Sequence, residues 1–338
     1  MSLSILVLTT AGFDSHHLDR VRAAAPDARI THALARDWEG LPPALWADID
    51  VLYTVDPLPD PARAPRLRWV QLHFAGVEGV VTHPMAGRAA ITNASGVHAT
   101  QIAEWTLAMI LARSRRLPLA FELQQRAEWP PERWGLFVPD ELRGATIGIV
   151  GYGAIGREIG RLCAAFGMHV IGLRRSTGEQ DPARPRWTPP DLRSLPPAPA
   201  RIEPIAALNE VLPLCDVVAL ALPLTPATRN SIDAQALARM RPGALLLNVG
   251  RGGVIDELAL ARALDAGRPT AAALDVFATE PLPADSPLWR APNLMITPHV
   301  SGFSPHYDAR AMTLFAENLE RFVKGEPLFN RVDVIEGY

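Results

Sequence analysis

The stretch Thr146-Ile147-Gly148-Ile149-Val150-Gly151-Tyr152-Gly153-Ala154-Ile155-Gly156 is a short apolar run that enters G-x-G-x-x-G. Residues 157–167 continue at helical spacing and residues 169–173 form the next apolar run, which predicts a strand, a glycine turn, a helix and a second strand. A dinucleotide pyrophosphate requires this βαβ arrangement. Gly151 permits the tight turn, Gly153 lets backbone approach phosphate, and Gly156 lets helix pack closely on strand. The helix N-terminus opened by Ala154 and Ile155 supplies partial positive charge. The bland alternative is a glycine turn that binds nothing, and the flanking strand and helix argue against it.

The second strand ends about 20 residues past the first glycine, where an Asp or Glu would accept hydrogen bonds from the ribose hydroxyls of NAD. This chain has Arg174, Arg175 and Ser176 there. A guanidinium pair suits the 2′-phosphate of NADP through charge-assisted hydrogen bonds, so NADP(H) is the expected cofactor and NAD(H) the alternative. Solvated arginines at a strand end are the bland reading of the same residues.

With 338 residues, 48% of them hydrophobic, the chain is long enough for two domains with separate cores. A net charge of -3 and a pI near 6.3 argue against a general nucleic-acid surface. Cys163 and Cys215 are too few for a disulfide framework, and each reads as a small buried hydrophobe, which fits a reducing cytoplasm. The apolar run at residues 4–8 is too brief for a signal peptide, and no stretch approaches the roughly 18–20 apolar residues that span a bilayer. Of the 32 prolines, eight fall between Pro182 and Pro204, so this stretch is expected to be a loop, a surface insertion in preference to a cover over the adenine.

Apolar runs at residues 5–8, 50–53 and 67–71, with helical patterns between them, predict a small α/β unit ahead of the glycine motif. A helical pattern over residues 99–128 carries Ile102, Leu107, Ile110 and Leu111 on one face and reads as a domain connector or dimer surface. Strand-like runs follow at residues 217–222, 244–249, 271–276 and 294–297, alternating with helical patterns such as 256–266. The fold class is therefore α/β with a doubly wound parallel sheet. Residues 306–324 read as a helix that leaves this domain.

Ligands of open parallel sheets bind beyond the carboxyl ends of the strands, and those positions are chemically loaded here. Pro223 and Leu224 follow one strand, Arg251 follows Asn248-Val249-Gly250, Asp275 ends Ala272-Ala273-Leu274, and His299 follows Ile296-Thr297-Pro298. Glu280 stands in a turn closed by Pro281, within reach of His299. These residue types suit reduction of a 2-oxo acid. A planar cation holds the carboxylate, and a proton donor stands beside the ketone oxygen as hydride arrives at carbon. Arg251 and His299 fill those roles, and a carboxylate at Glu280 would favour the protonated imidazole. Singly, each residue has a bland reading as turn or surface charge. No metal is expected.

These signatures together resemble the D-isomer-specific 2-hydroxyacid dehydrogenase family over nearly the whole chain. Asn248-Val249-Gly250-Arg251-Gly252-Gly253-Val254-Ile255-Asp256 resembles its arginine signature, Leu274-Asp275-Val276-Phe277-Ala278-Thr279-Glu280-Pro281-Leu282 its acidic one, and Thr297-Pro298-His299 its histidine one. The resemblance implies that Arg251 binds substrate, Glu280 orients and charges the histidine, His299 is the acid or base, and Asp275 contacts the nicotinamide carboxamide. Thr228 and Val249 complete the expected cofactor-binding set with Gly151, Gly153, Ala154, Ile155, Gly156, Arg174, Arg175, Ser176, Pro223 and Asp275.

Gln71-Leu72-His73-Phe74-Ala75-Gly76-Val77-Glu78 is similar to the family's substrate loop, in which amides near Ala75 and Gly76 hold the carboxylate. His73 and Phe74 stand where the family usually has smaller residues, so they could narrow the pocket, extend it, or point elsewhere. His83 and His98 read as structural or surface residues, since neither follows a strand of the cofactor domain. The resemblance further implies two Rossmann-like domains with an interdomain active-site cleft. The substrate domain, flavodoxin-like, would comprise residues 1–100 and 303–338, and the NAD(P) domain residues 101–302 with the dimerisation helix. It also implies a homodimer in which Trp129 or Trp134 reaches the partner's active site. A chain ending at Tyr338 argues against the longer phosphoglycerate dehydrogenases. The expectation is reduction of a small 2-oxo acid of the glyoxylate or hydroxypyruvate type to the D-2-hydroxy acid. The alternatives are a nucleotide-sensing, corepressor-like protein with little turnover, and a formate or phosphite dehydrogenase of the same family.

Overall fold

The computed structural model describes residues 2–10, 13–55, 58–77, 79–175 and 182–334, so Glu78 and Ser176 lie outside the described residues. The chain divides into two compact units. One comprises Met1–Val97, Glu179–Leu195 and Ser304–Tyr338, and the other His98–Gly178 and Pro196–Phe303.

The first unit is built on five parallel strands, β1 (Ser4–Thr9), β2 (Arg29–Leu34), β3 (Val51–Thr54), β4 (Trp69–Leu72) and β5 (Ala90–Thr92), in the order β2-β1-β3-β4-β5. β1, β3 and β4 are covered on both faces, which is why they read as unbroken apolar runs. Leu6, Leu8, Leu52 and Val70 pack with Trp46 on one face. On the other, Ile5, Val7, Tyr53 and Trp69 meet Met312, Phe315 and Leu319 of the helix Tyr307–Lys324. That helix stops at Gly325, which takes the left-handed conformation at φ +72°.

The proline-rich stretch departs from the expected surface loop. It contains a short helix, Pro190–Arg193, and the strand β8 (Ala200–Pro204). Its Trp187 is fully buried in the first unit among Ala94, Val97, Ala311 and Leu314. The Trp187 amide donates to Asn330 Oδ1 at 3.0 Å and its indole N–H to Glu317 at 3.1 Å, while Arg193 pairs with Glu317 at 2.6 Å. One large aromatic side chain outweighs the polar composition around it. This is the physical reason that Glu179–Leu195, read from sequence as part of the cofactor domain, groups with the first unit.

In the second unit, β6 (Thr146–Val150), β7 (His169–Arg174), β8, β9 (Val217–Leu220), β10 (Leu245–Asn248), β11 (Ala271–Leu274) and β12 (Leu294–Ile296) form one parallel sheet. The strand order is β12-β11-β10-β9-β6-β7-β8. The chain winds one way from β6 to β8 and the other way from β9 to β12, so the topological switch lies between β6 and β9, as in doubly wound folds. The long helical pattern of residues 99–128 resolves into two helices, Ala99–Ser114 and Leu117–Gln125. Arg116 between them is left-handed at φ +52°, and Pro118 lacks the N–H that a continuous helix needs. Ile102, Ala103 and Ile110 of the first helix pack with Ile159 and Cys163 of the helix Ala154–Ala165. Both cysteines are buried, and burial pushes each thiol up to about 12. Among the described residues, no helix is long and apolar enough to cross a membrane.

Candidate active site

The glycine turn begins where β6 ends. Gly151 has φ +101°, and a Cβ there would lie 2.5 Å from the Ala221 carbonyl beyond β9, so only glycine fits the switch point. A Cβ on Gly156 would meet the Gly151 carbonyl at 2.4 Å. Gly153, the N-cap of the helix Ala154–Ala165, has instead no heavy atom within 4 Å of its Cβ position. That opening above a helix N-terminus fits a pyrophosphate. Tyr152, between the glycines, lays its ring on Gly172 and Gly160, where a side chain would clash at 2.5 and 2.9 Å. At the end of β7, Arg174 is partly buried and Arg175 exposed.

Beyond β9, the Thr228 hydroxyl donates to the Pro223 carbonyl at 2.7 Å and accepts from the Thr225 amide at 2.8 Å, which folds the turn over residues 223–228. Beyond β10, Asn248 shapes the arginine turn. Its Nδ2 donates to the Arg251 carbonyl at 2.9 Å and its Oδ1 accepts from the Gly250 amide at 3.0 Å, while Val249 is buried behind it. Gly250 and Gly252 are required by close backbone approach. A Cβ would lie 2.5 Å from the Leu222 carbonyl in the first case and 1.8 Å from the Phe277 carbonyl carbon in the second. The arginine and acidic turns are thereby stacked backbone on backbone. Arg251 Nη1 donates to the Gly250 carbonyl at 2.9 Å.

Beyond β11 and β12, Asp275 and His299 are bound into one structure. The Asp275 carboxylate is wholly buried; Oδ1 accepts from the Thr297 hydroxyl at 2.5 Å and the Val300 amide at 2.9 Å, and Oδ2 accepts from the Ser301 amide at 2.9 Å. Its main-chain carbonyl accepts from the His299 amide at 2.8 Å. His299 adopts φ +54°, a conformation uncommon for a residue with a side chain, and these bonds hold it there. Glu280 divides its carboxylate. Oε1 accepts from the Phe277 amide at 2.9 Å, and Oε2 lies 2.7 Å from His299 Nδ1. Because the carboxylate accepts, Nδ1 carries the hydrogen and Nε2 is the outward nitrogen. Arg251, Asp275, Glu280 and His299 thus all stand beyond adjacent strands of one sheet edge.

His98 was not expected at this site. It stands just ahead of the helix Ala99–Ser114, and its Nδ1 lies 3.2 Å from the Gly302 carbonyl in the loop after His299. Burial lowers its pKa to about 4, with the positive charges of Arg251 and His299 adding to the effect against the Gly302 hydrogen bond. A histidine preceding a helix carries no strand-end signal, which is why the sequence assigned it a structural or surface role.

In the first unit, the loop after β4 answers the question raised by its bulky residues. His73 points into the core, its Nδ1 2.6 Å from the Tyr53 hydroxyl. The Tyr307 hydroxyl donates to its carbonyl at 2.5 Å. Phe74 is 45% exposed and meets the His73 ring edge-on at 4.5 Å. Two hydrogen bonds tie this loop to the segment after β5, since the Ala94 amide donates to the Phe74 carbonyl and the Asn93 side-chain Nδ2 to the Ala75 carbonyl. Among the described residues, no group of three or more His, Cys, Asp or Glu side chains could hold a metal ion. Trp129 and Trp134, 82% and 79% exposed, follow the helix Leu117–Gln125, and the Arg133 guanidinium lies over the Trp134 ring at 4.9 Å.

The family model for the D-isomer specific 2-hydroxyacid dehydrogenase NAD binding domain matches residues 107–301. A glyoxylate reductase of Aeropyrum pernix is 35% identical over 78% of this chain and 76% of its own length. A D-3-phosphoglycerate dehydrogenase of Methanocaldococcus jannaschii is 33% identical over 80% of this chain, which covers 48% of that enzyme. The chain spans about half the length of the phosphoglycerate dehydrogenases it matches. The crystal structure of a D-isomer specific 2-hydroxyacid dehydrogenase from Xanthobacter autotrophicus, in complex with NADPH and MES, superposes with a TM-score of 0.81 at 28% identity and covers all of both chains. The chain belongs to the D-isomer specific 2-hydroxyacid dehydrogenase family, as its arginine, acidic and histidine signatures indicated.

Proposed function

We propose that the protein is an NADPH-dependent reductase of a small 2-oxo acid of the glyoxylate or hydroxypyruvate type, forming the D-2-hydroxy acid. The observation that carries this reading is the 2.7 Å pairing of His299 Nδ1 with Glu280, which leaves Nε2 outward on the sheet edge that also presents Arg251. Arg251 holds the substrate carboxylate with its planar donor fork, supported by the amides of Ala75 and Gly76. His299 Nε2 gives its proton to the ketone oxygen as the alkoxide develops, and Glu280 fixes the ring orientation and balances the imidazolium charge. The nicotinamide supplies the hydride when bound. Gly151, Gly153, Ala154, Ile155 and Gly156 hold the pyrophosphate, with Pro223, Thr228 and Val249 along the remainder of the dinucleotide. Asp275 serves the carboxamide. An ionised carboxylate has about four lone-pair directions, and the loop uses three here.

Arg174 and Arg175, with Ser176, favour the 2′-phosphate, and the NADPH complex of the Xanthobacter relative supports that choice. The exposed apolar surface carrying Trp129 and Trp134 is the one we assign to a homodimer, with a tryptophan entering the partner's site. The two buried thiols suit a reducing cytoplasm.

Initial rates of NADPH and NADH oxidation against glyoxylate, hydroxypyruvate, pyruvate and phenyl-substituted 2-oxo acids test the reading. Oxidation of D-3-phosphoglycerate and (S)-sulfolactate, the substrates named for relatives, belongs in the same panel. His299→Ala is expected to lower kcat by about 10²–10⁴-fold with nearly unchanged NADPH affinity. Unchanged turnover in that variant would sink the assignment of His299 as the acid or base, and no turnover of any acid by the wild type would move the assignment to a nucleotide-sensing protein. Turnover of formate or phosphite alone would identify the other branch.

A further inference from the structure

We infer that His98 and Gln101 are positioning residues for the reaction, because together they hold the Gly302 carbonyl and so fix the far end of the loop that carries His299. The inference rests on His299 being the acid or base. Residues 299–303 leave the sheet through a left-handed histidine, and a loop begun in that conformation returns to a commoner one unless it is tied at both ends. The near end is tied by Asp275, whose carbonyl and carboxylate take the amides of His299, Val300 and Ser301. The far end is tied from a separate element. His98 Nδ1 lies 3.2 Å and Gln101 Nε2 3.1 Å from the same Gly302 oxygen.

The geometry requires these residue types. Positions three apart at the start of a helix share one face, so both side chains reach one acceptor. A carbonyl accepts only, so His98 must carry its hydrogen on Nδ1. Burial lowers the imidazole pKa to about 4, so it makes this bond in the neutral form and adds no cation beside Arg251. Gly302 is part of the fit, since a Cβ there would stand 2.9 Å from His98 Nδ1. Neither side chain needs to touch substrate. They act through the loop.

The test compares His98→Leu, which fills the space without a donor, with His98→Asn, which restores one, and with Gln101→Leu. Each variant is assayed for kcat and KM on the best 2-oxo acid, and for NADPH dissociation by fluorescence titration. Each Leu variant is expected to lose about tenfold in kcat and the double variant about 100-fold, while NADPH affinity stays within twofold. His98→Asn is expected to recover most of the loss. Wild-type kcat in both Leu variants overturns the inference, as does an Asn variant no faster than Leu, which would make the ring a packing element. A wild type that turns over no 2-oxo acid removes the catalytic reading and this inference together, so the two failures are distinguishable.

Discussion

The sharpest consequence of the site geometry is that Asp275→Asn should disable the protein by releasing the loop that carries His299, whatever the residue also does for the cofactor. Asn can keep an oxygen toward Thr297 and Val300, but its amide nitrogen then faces the Ser301 amide, donor against donor. Hydrogen bonds to a charged acceptor are worth about 1.5–3 kcal/mol and neutral ones about 0.5–1.5 kcal/mol, so the two retained bonds weaken by about 1 kcal/mol each. The third bond is lost and leaves an unsatisfied donor that costs about 1–3 kcal/mol more. The sum, about 3–5 kcal/mol, falls on a segment already held at φ +54°. A share of about 3 kcal/mol borne by the geometry of His299 corresponds to roughly 100-fold in kcat. Thr297→Val, which removes only the hydroxyl bond, should show a loss several times smaller. Stopped or steady-state kcat at saturating NADPH and 2-oxo acid, alongside urea unfolding, measures both effects. If Asp275→Asn keeps kcat within twofold and unfolds at the same urea concentration, the loop is not held by this carboxylate and the reasoning fails.

Three other outcomes follow from particular residues. Arg174→Ala combined with Arg175→Ala should raise the NADPH KM by about tenfold while changing the NADH KM little, the cost of losing charge-assisted bonds at a partly solvated site; equal effects on both cofactors would discard the 2′-phosphate role. Trp187→Ala should cost about 3–5 kcal/mol in urea unfolding, because a fully buried indole and its hydrogen bond to Glu317 vanish at once; a loss under about 1 kcal/mol, within the range of ordinary surface changes, would show the segment to be loosely held. The His98 imidazole falls from its ordinary 6.5 to about 4 in the folded chain, so between those values the unfolded chain takes up a proton that the folded one refuses. Stability is therefore complete above pH 6.5 and declines as pH falls toward 4, by at most about 3 kcal/mol. His98→Asn should flatten that part of the pH–stability curve, and an unchanged slope would show that other groups carry it.

What could be read in the sequence, and what could not, divides along a physical line. β1, β3, β4, β6, β7, β9, β10 and β11 were legible because strands of a parallel sheet covered on both faces are unbroken apolar runs, and β12, a partly buried edge strand, was legible because its three residues are all apolar. β2, β5 and β8 were not. β2 is an edge strand with no fully buried residue, β5 is three residues long, and β8 is an edge strand of the other sheet that follows seven prolines and ends on an eighth. The break at Arg116 was missed because the apolar spacing continues past it, although Pro118 was the available signal.

The candidate site divides the same way. Arg251, Glu280 and His299 could be picked out because the fold exposes whatever follows a parallel strand, so chemistry at those positions is local in sequence. The groups that hold them are not local. His98 meets a carbonyl 204 residues away, Ser301 meets a carboxylate 26 residues away, and Gly252 is a glycine because of the backbone at Phe277. A residue that acts by contacting its target at long range leaves no periodicity or spacing to detect. The candidate reacting groups of a doubly wound fold are therefore its most readable residues, and the contacts that set their geometry become visible only when the chain is folded.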